Sequence, residues 1–214
     1  MLTTVLETLC DWLNEEVCSQ IQLFAPKDNY HDGKHPPKLV HPVAYPLFIP
    51  DSTALPTGQQ PLPAIVIQVL NGSDDVLKRL RTYQLRLILI SWLPGHYDAL
   101  DFIKHIKEQV PTGDLPYSYY QAAENGQKGG YSRTLSGWKN NSDFMETVLS
   151  AFEQTEFIGK DKTIRLKKED RIQFGHFQTE YQLLDFYPYW VTYITFSIEA
   201  GLIRRPPTSY QDLL

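Results

Sequence analysis

Cysteine is almost missing from this chain. Only Cys10 and Cys18 occur, and both fall in one helical pattern, where eight steps at about 1.5 Å per residue put them roughly 12 Å apart, beyond the reach of about 7 Å that a disulfide tolerates. A disulfide framework is excluded, and two small thiols fit a reducing compartment. Long apolar runs are missing too. No stretch approaches the roughly eighteen apolar residues of a membrane span, and the first residues carry no basic cluster leading into an apolar run, so a soluble cytoplasmic product is expected. Excess charge is slight: Lys and Arg number 20 and Asp and Glu 25, giving 20 − 25 = −5. So mild an acidity argues against a general polyanion binder. Catalytic signatures are missing as well. The chain has no phosphate-cradling glycine loop ending in lysine, no G-x-S-x-G elbow and no H-E-x-x-H.

What is present is a globular composition, with 42% hydrophobic and 13% aromatic residues over 214 positions. That length supports a single α+β domain with insertions. Leu2, Val5, Leu6, Leu9, Leu13, Val17 and Ile21 recur at helical spacing and predict an amphipathic helix of about five turns. Thr4 followed by Glu7 fits a capping box and places its start there. From 22 to 62 the chain carries eight of its 15 prolines, a density no regular helix survives. A loop of this length is functional or folded against a neighbour, and Val43 to Ile49 is a candidate short strand within it.

Ala64 to Leu70 is apolar on both faces, as a covered central strand would be, and Asn71 to Asp75 follows with turn chemistry. Thr82 to Trp92 predicts a second long strand with Tyr83, Leu85, Leu87 and Leu89 on one face; on the other, Gln84 and Arg86 give way to Ile88 and Ile90, so its second half should lie deeper. Leu100, Ile103, Ile106 and Val110 mark a short helix. Residues 111–141 are rich in Gly, Asn and Tyr and are expected to form a mobile arm, with helical spacing resuming at Phe144 behind Ser142 as N-cap. Thr163 to Leu166 and Arg171 to Leu184 predict β-structure, with a bulge beside Gly175 where the apolar parity shifts. The last strand is the most sharply patterned. After Pro188, the residues Trp190, Ile194, Phe196 and Ile198 share one face and Tyr193, Thr195, Ser197 and Glu199 the other, and proline belongs at or just outside a strand's first residue. Residues 200–214 are expected to run extended.

Two constellations invite a chemical reading. His31 and His35, with His41 beyond, have half the spacing of a zinc site, but nothing completes it, and scattered loop histidines are the favoured account. Asp98, Asp101 and His105 lie at i, i+3 and i+7 on one helix face, with His96 just before. They would suit a divalent ion or acid-base work in a small metal-dependent hydrolase, though aspartates at a helix N-terminus explain them more simply. No catalytic residue, metal ligand or cofactor is assigned. The tyrosines Tyr117, Tyr119 and Tyr120 are candidate contacts, since tyrosine buries a rigid ring and keeps a polar tip at an interface. Arg204 and Arg205 in the tail and Tyr193 and Thr195 on the far face of the last strand complete the candidate partner surface.

The order of these elements, with Pro188-Tyr189-Trp190 leading into an alternating strand, resembles the tail terminator (tail completion) proteins of long-tailed bacteriophages and prophages. The resemblance runs over the first helix, residues 63–110 and residues 144–198. It implies a small α+β subunit with a mixed or antiparallel sheet of four to six strands, packed with the N-terminal helix and one or two more. It also implies a six-membered homo-oligomeric ring in the virion that caps the tail tube. The partners so implied are further copies of the chain, the tail-tube protein and the head-neck connector, with DNA passing through unbound and no membrane. The segments at 22–62 and 111–141 are longer than such a subunit needs, so another neck component is an alternative, and a host adaptor docking through its Pro-rich loop is a third.

Overall fold

A computed structural model describes residues 2–26, 38–57, 59–93, 137–160, 162–177, 186 and 188–201. The expected helix at 98–110, most of the Gly/Tyr-rich arm and the tail after 201 lie outside the described residues.

The N-terminal helix α1 spans Leu2–Trp12 and runs on through a π-helical turn, Leu13–Val17, and a 3-10 turn, Cys18–Gln20. The helix therefore begins before Thr4, which is exposed inside its first turn rather than capping it. Its inner face, Val5, Leu6, Leu9, Trp12, Leu13 and Val17, is buried throughout, and this tertiary burial rather than a local cap sets where the helix lies. In the Pro-rich segment the expected short strand forms as β3 (Val43–Pro46), which joins the main sheet, and two further short strands, β1 (Leu23–Phe24) and β2 (Leu39–Val40), pair antiparallel with each other.

That sheet has seven strands in the order β3-β4-β5-β9-β7-β6, with β8 also pairing β9. Here β4 is Ala64–Asp75, β5 Leu80–Trp92, β6 Phe157–Ile158, β7 Ile164–Leu166, β8 Gln173–His176 and β9 Tyr189–Gly201. Only β3 and β4 run parallel, so the sheet is mixed and the fold α+β. Asn71 to Asp75 do not end β4 as their turn chemistry suggests. They continue pairing with Gln84 to Leu80 after a bulge between Val69 and Asn71, because β5 offers them an unbroken ladder of partners. The true turn is Val76 to Arg79, with Arg79 at φ 56°. No bulge occurs at Gly175, where β8 keeps regular register with β9. The parity shift there has another cause: Phe174 lies opposite Ile194 at the sheet margin, while Phe177 packs its ring 5.3 Å from Tyr193 on the other face.

The second helix, α2, is Gly137–Gln154, so it starts five residues before Ser142 and takes in the end of the expected arm. Gly137 explains the start: a Cβ there would lie 1.9 Å from Trp190 Nε1, so only glycine lets the helix approach the strand. Both helices pack on one face of the sheet, against Leu85, Leu87, Leu89, Ile194, Phe196 and Ile198. Phe152 is the hub, stacked 5.7 Å from Trp12 and tilted 4.7 Å from Phe196. Pro188 stands just outside β9, as expected, and accepts the Leu93 N–H. Ile194, Phe196 and Ile198 are fully buried, whereas Trp190 is half-buried. The strand does not lie at the rim of the sheet. It is the central spine, with β5 on one side and both β7 and β8 on the other.

Candidate assembly surfaces

The two margins of the sheet differ. At the β3 margin the N–H groups of Val43 and Leu47 point inward, to Pro63 O at 3.2 Å and Ile67 O at 2.9 Å. The intervening Ala44 N–H points outward and is bound by Asn14 Oδ1 at 2.9 Å, and Pro46, next in outward phase, has no N–H. That edge offers another strand no free backbone N–H over Val43–Pro46. Asn14 reaches it because it sits in the π-helical turn, one of the places where a widened helix re-aims a side chain. At the other margin β8 pairs only with β9, and no backbone hydrogen bond from a described residue reaches its outer edge. Phe174 stands there 52% exposed.

The sheet face away from the helices divides into two regions. One row crosses five strands as Tyr45, Val66, Ile88, Tyr193 and Gly175, and the next as Gln68, Arg86, Thr195 and Gln173 on four of them. Along β5 on this face Gln84, Arg86, Ile88 and Ile90 are half-buried and Trp92, at its end, is buried, so the strand is deepest where its second half ends. Tyr193, expected as a contact residue, is half-buried between Phe177 and Arg86, whose guanidinium carbon stands 5.4 Å from the ring centroid. Thr195, expected to face outward, is only 5% exposed and lies 3.4 Å from Arg86 Nε, so its placement on an open surface is corrected. Its neighbours on β5 and β8 enclose it. Further along, Glu199 lies 3.6 Å from both Arg165 and Lys167, which ties β7 to β9.

At the end of the sheet where β9 begins, sequence reasoning missed a buried polar anchor. Asn141 is 0% exposed and donates from Nδ2 to Ser91 Oγ at 3.0 Å and to Trp190 O at 2.9 Å, while Trp190 Nε1 donates to Leu93 O at 3.1 Å. It ties α2 to β5 and β9 at once. Its only sequence signal is an asparagine on an otherwise apolar helical face, phased with Phe144, Met145 and Val148.

The β4–β5 hairpin is a projecting arm. Its tip carries Val76, 76% exposed, and Leu77, 97% exposed, on a stem held by Arg81 to Asp74 and Lys78 to Asp75 at 3.5 Å. The hydrogen bond and charge of Arg81 hold the Asp74 carboxyl below its ordinary range, and the Lys78 backbone N–H does the same for Asp75. On the helical layer, the α1-to-Gln20 stretch carries Glu7, Asp11, Glu15 and Glu16 and no Lys or Arg. A groove of about 410 Å3 opens between α1 and the β6–β7 turn, floored by Trp12 and Phe157 and edged by Asp11, Glu15 and Glu16.

His41, the one member of the histidine group among the described residues, serves the backbone. Its Nδ1 lies 2.8 Å from Ile21 O and 3.0 Å from Cys18 O at the end of the helical stretch. His31 and His35 lie outside the described residues, as do Asp98, Asp101 and His105, Tyr117, Tyr119 and Tyr120, and Arg204 and Arg205. Among the described residues no group of three or more His, Cys, Asp or Glu is placed to share a metal ion, and no helix is long and apolar enough to cross a membrane. Comparison with protein-family models, with curated proteins and with solved structures returns no match.

Proposed function

We propose that this chain is a structural subunit of a phage or prophage virion that assembles with copies of itself into a closed ring, as in the tail terminators it resembles. On this reading six copies cap the tail tube and join it to the head-neck complex, DNA passes through the lumen, and the work of the chain is assembly rather than catalysis. The observation that carries the proposal is the unlikeness of the two lateral sides. One side is a strand edge whose outward donors are taken up by Asn14 or absent at Pro46, and the other, formed by β6 and β8, carries at β8 an outer edge that no described residue's backbone pairs, with Phe174 exposed beside it. Copies that meet through unlike surfaces build rings when the rotation closes, whereas a two-fold dimer needs one self-complementary patch. The acidic helical layer suits a conduit as well, since it does not hold a passing phosphate backbone.

Negative-stain imaging of the purified protein, with light scattering for mass, tests this directly. A closed ring of about six subunits that binds tail tubes is expected. A strict monomer at high concentration, with no ring on added tubes, would overturn it, and a ring that binds a connector but no tube would move the chain to another position in the neck.

A further inference from the structure

We infer that the tip of the β4–β5 hairpin of one copy seats in the groove beside α1 of the next. This rests on the ring reading and names its contact. Leu77 at 97% exposure and Val76 at 76% form the most exposed apolar pair among the described residues, and they stand on a stem that ion pairs and strand pairing hold in place. Solvent is a poor environment for such a pair, and an apolar knob on a braced arm fits an apolar floor. The groove of about 410 Å3 offers one in Trp12 and the exposed ring of Phe157.

The charges match as well. The tip, residues 74–81, holds Lys78, Arg79 and Arg81 against Asp74 and Asp75, for 3 − 2 = +1. Of these Arg79 makes no ion pair with a described residue. Asp11, Glu15 and Glu16 rim the groove against Lys160, for 1 − 3 = −2, and among the described residues only Glu15 is paired, with Lys160 at 3.3 Å. Arg79 therefore has Asp11 and Glu16 as waiting partners.

The topology sets the two surfaces at one height. Leu80 pairs with Gly201 and Ile164 with Ala200, so the hairpin tip and the β6–β7 turn lie at the same end of the sheet, on opposite sides of β9. A ring with the strands along its axis needs this, because neighbours related by pure rotation meet without axial shift.

The test uses the full chain carrying Leu77→Cys and Thr163→Cys together, oxidised under mild conditions. The native thiols Cys10 and Cys18 are buried and do not compete. A ladder of cross-linked species rising one chain at a time to the ring number is expected, a mixture of the two single variants should yield dimer only, and Leu77→Cys alone should yield none. Leu77→Asp, at a fully exposed site, should leave the melting temperature of the dilute, dissociated chain unchanged and weaken association by about tenfold or more, while Leu77→Met should restore it. If the unaltered protein forms its ring, yet the double variant gives no ladder and Leu77→Asp assembles at the same concentration, the contact is wrong and the ring reading survives. Self-cross-linking of Leu77→Cys would replace the contact with a two-fold one. An unaltered protein that stays monomeric at every concentration would remove both.

Discussion

Asn14 Oδ1 accepts the backbone N–H of Ala44 at 2.9 Å, so a side chain from a π-helical turn completes the hydrogen bonding of a sheet edge. The pairing joins residues thirty positions apart. It makes β3 a terminal strand by chemistry, since the other outward position, Pro46, has no donor to offer.

Replacing Asn14 by Ala should therefore do two things. It removes a hydrogen bond to a part-buried amide, at a cost of about 1 kcal/mol in urea unfolding. It also bares the Ala44 N–H, so static light scattering should show a mass above that of the parent's own assembly at the same concentration. An unchanged urea midpoint together with unchanged scattering would show the contact to be idle.

Gly137→Ala opposes two effects of known sign. Alanine favours a helix over glycine by about 1 kcal/mol in the interior and by less at the first residue, where Gly137 stands. Against this, its Cβ would sit 1.9 Å from Trp190 Nε1 and 2.3 Å from Cε2, a clash that forces the indole or the helix to move. Overpacking of this kind costs about 1–3 kcal/mol, so the net effect should be a loss, accompanied by a shift in tryptophan emission. A more stable Gly137→Ala protein would contradict the packing of α2 on β9.

Asn141 donates to a hydroxyl and a carbonyl in a fully buried site. Asn141→Ala should cost about 1–3 kcal/mol. Asn141→Asp has nearly the same shape but turns an anion toward Trp190 O, so its folded-state carboxyl must titrate above its unfolded value. Its stability relative to the parent should accordingly be best at acid pH and fall as pH rises through the carboxylate range, which urea titrations at pH 4 and pH 7 would reveal. Equal penalties at both pH values would count against the buried geometry.

Burial pushes both the Cys10 and Cys18 thiols up to about 12 from the ordinary 9.0, with Asp11 and Glu7 adding to the effect at Cys10. In the unfolded chain the thiols ionise near 9.0, while in the folded chain they stay protonated. Between these values the unfolded state binds fewer protons, so stability is complete below about pH 9 and declines as pH rises toward 12. Thiol labelling at pH 8 should proceed only after denaturation, and a Cys10→Ala, Cys18→Ala protein should lose less stability between pH 8 and pH 10 than the parent. Rapid labelling of the native protein would refute it.

Much of the fold was legible because burial writes itself into periodicity. Leu85, Leu87 and Leu89 alternate, as do Ile194, Phe196 and Ile198, and all six are buried on one face as the pattern requires. Val5, Leu6, Leu9, Leu13 and Val17 likewise keep their places on one helical face. Boundaries were less legible, because they depend on what the chain meets. Thr4 has the chemistry of a cap and is passed over, Ser142 likewise, and Asn71 to Asp75 look like a turn yet pair through five more residues of β5. Thr195 shows how a two-period pattern misleads: alternation assigns it to the polar face, and the face itself is covered at that point.

The sequence by itself determined the class of the protein: an α+β domain with an amphipathic helix at one end, an apolar strand pair in the middle and an aromatic-proline strand near the close. These follow from local spacing, which the backbone periods of helix and strand impose whatever lies nearby. Only the tertiary structure decided that β9 is the spine of the sheet, that Asn14 holds one margin while β8 pairs with β9 alone among the described residues, that Asn141 anchors α2, and that Val76 and Leu77 stand out at the end of a braced arm. Those relations join residues far apart in the chain. They are set by which surfaces meet when the core closes, a quantity that no run of neighbouring residues contains.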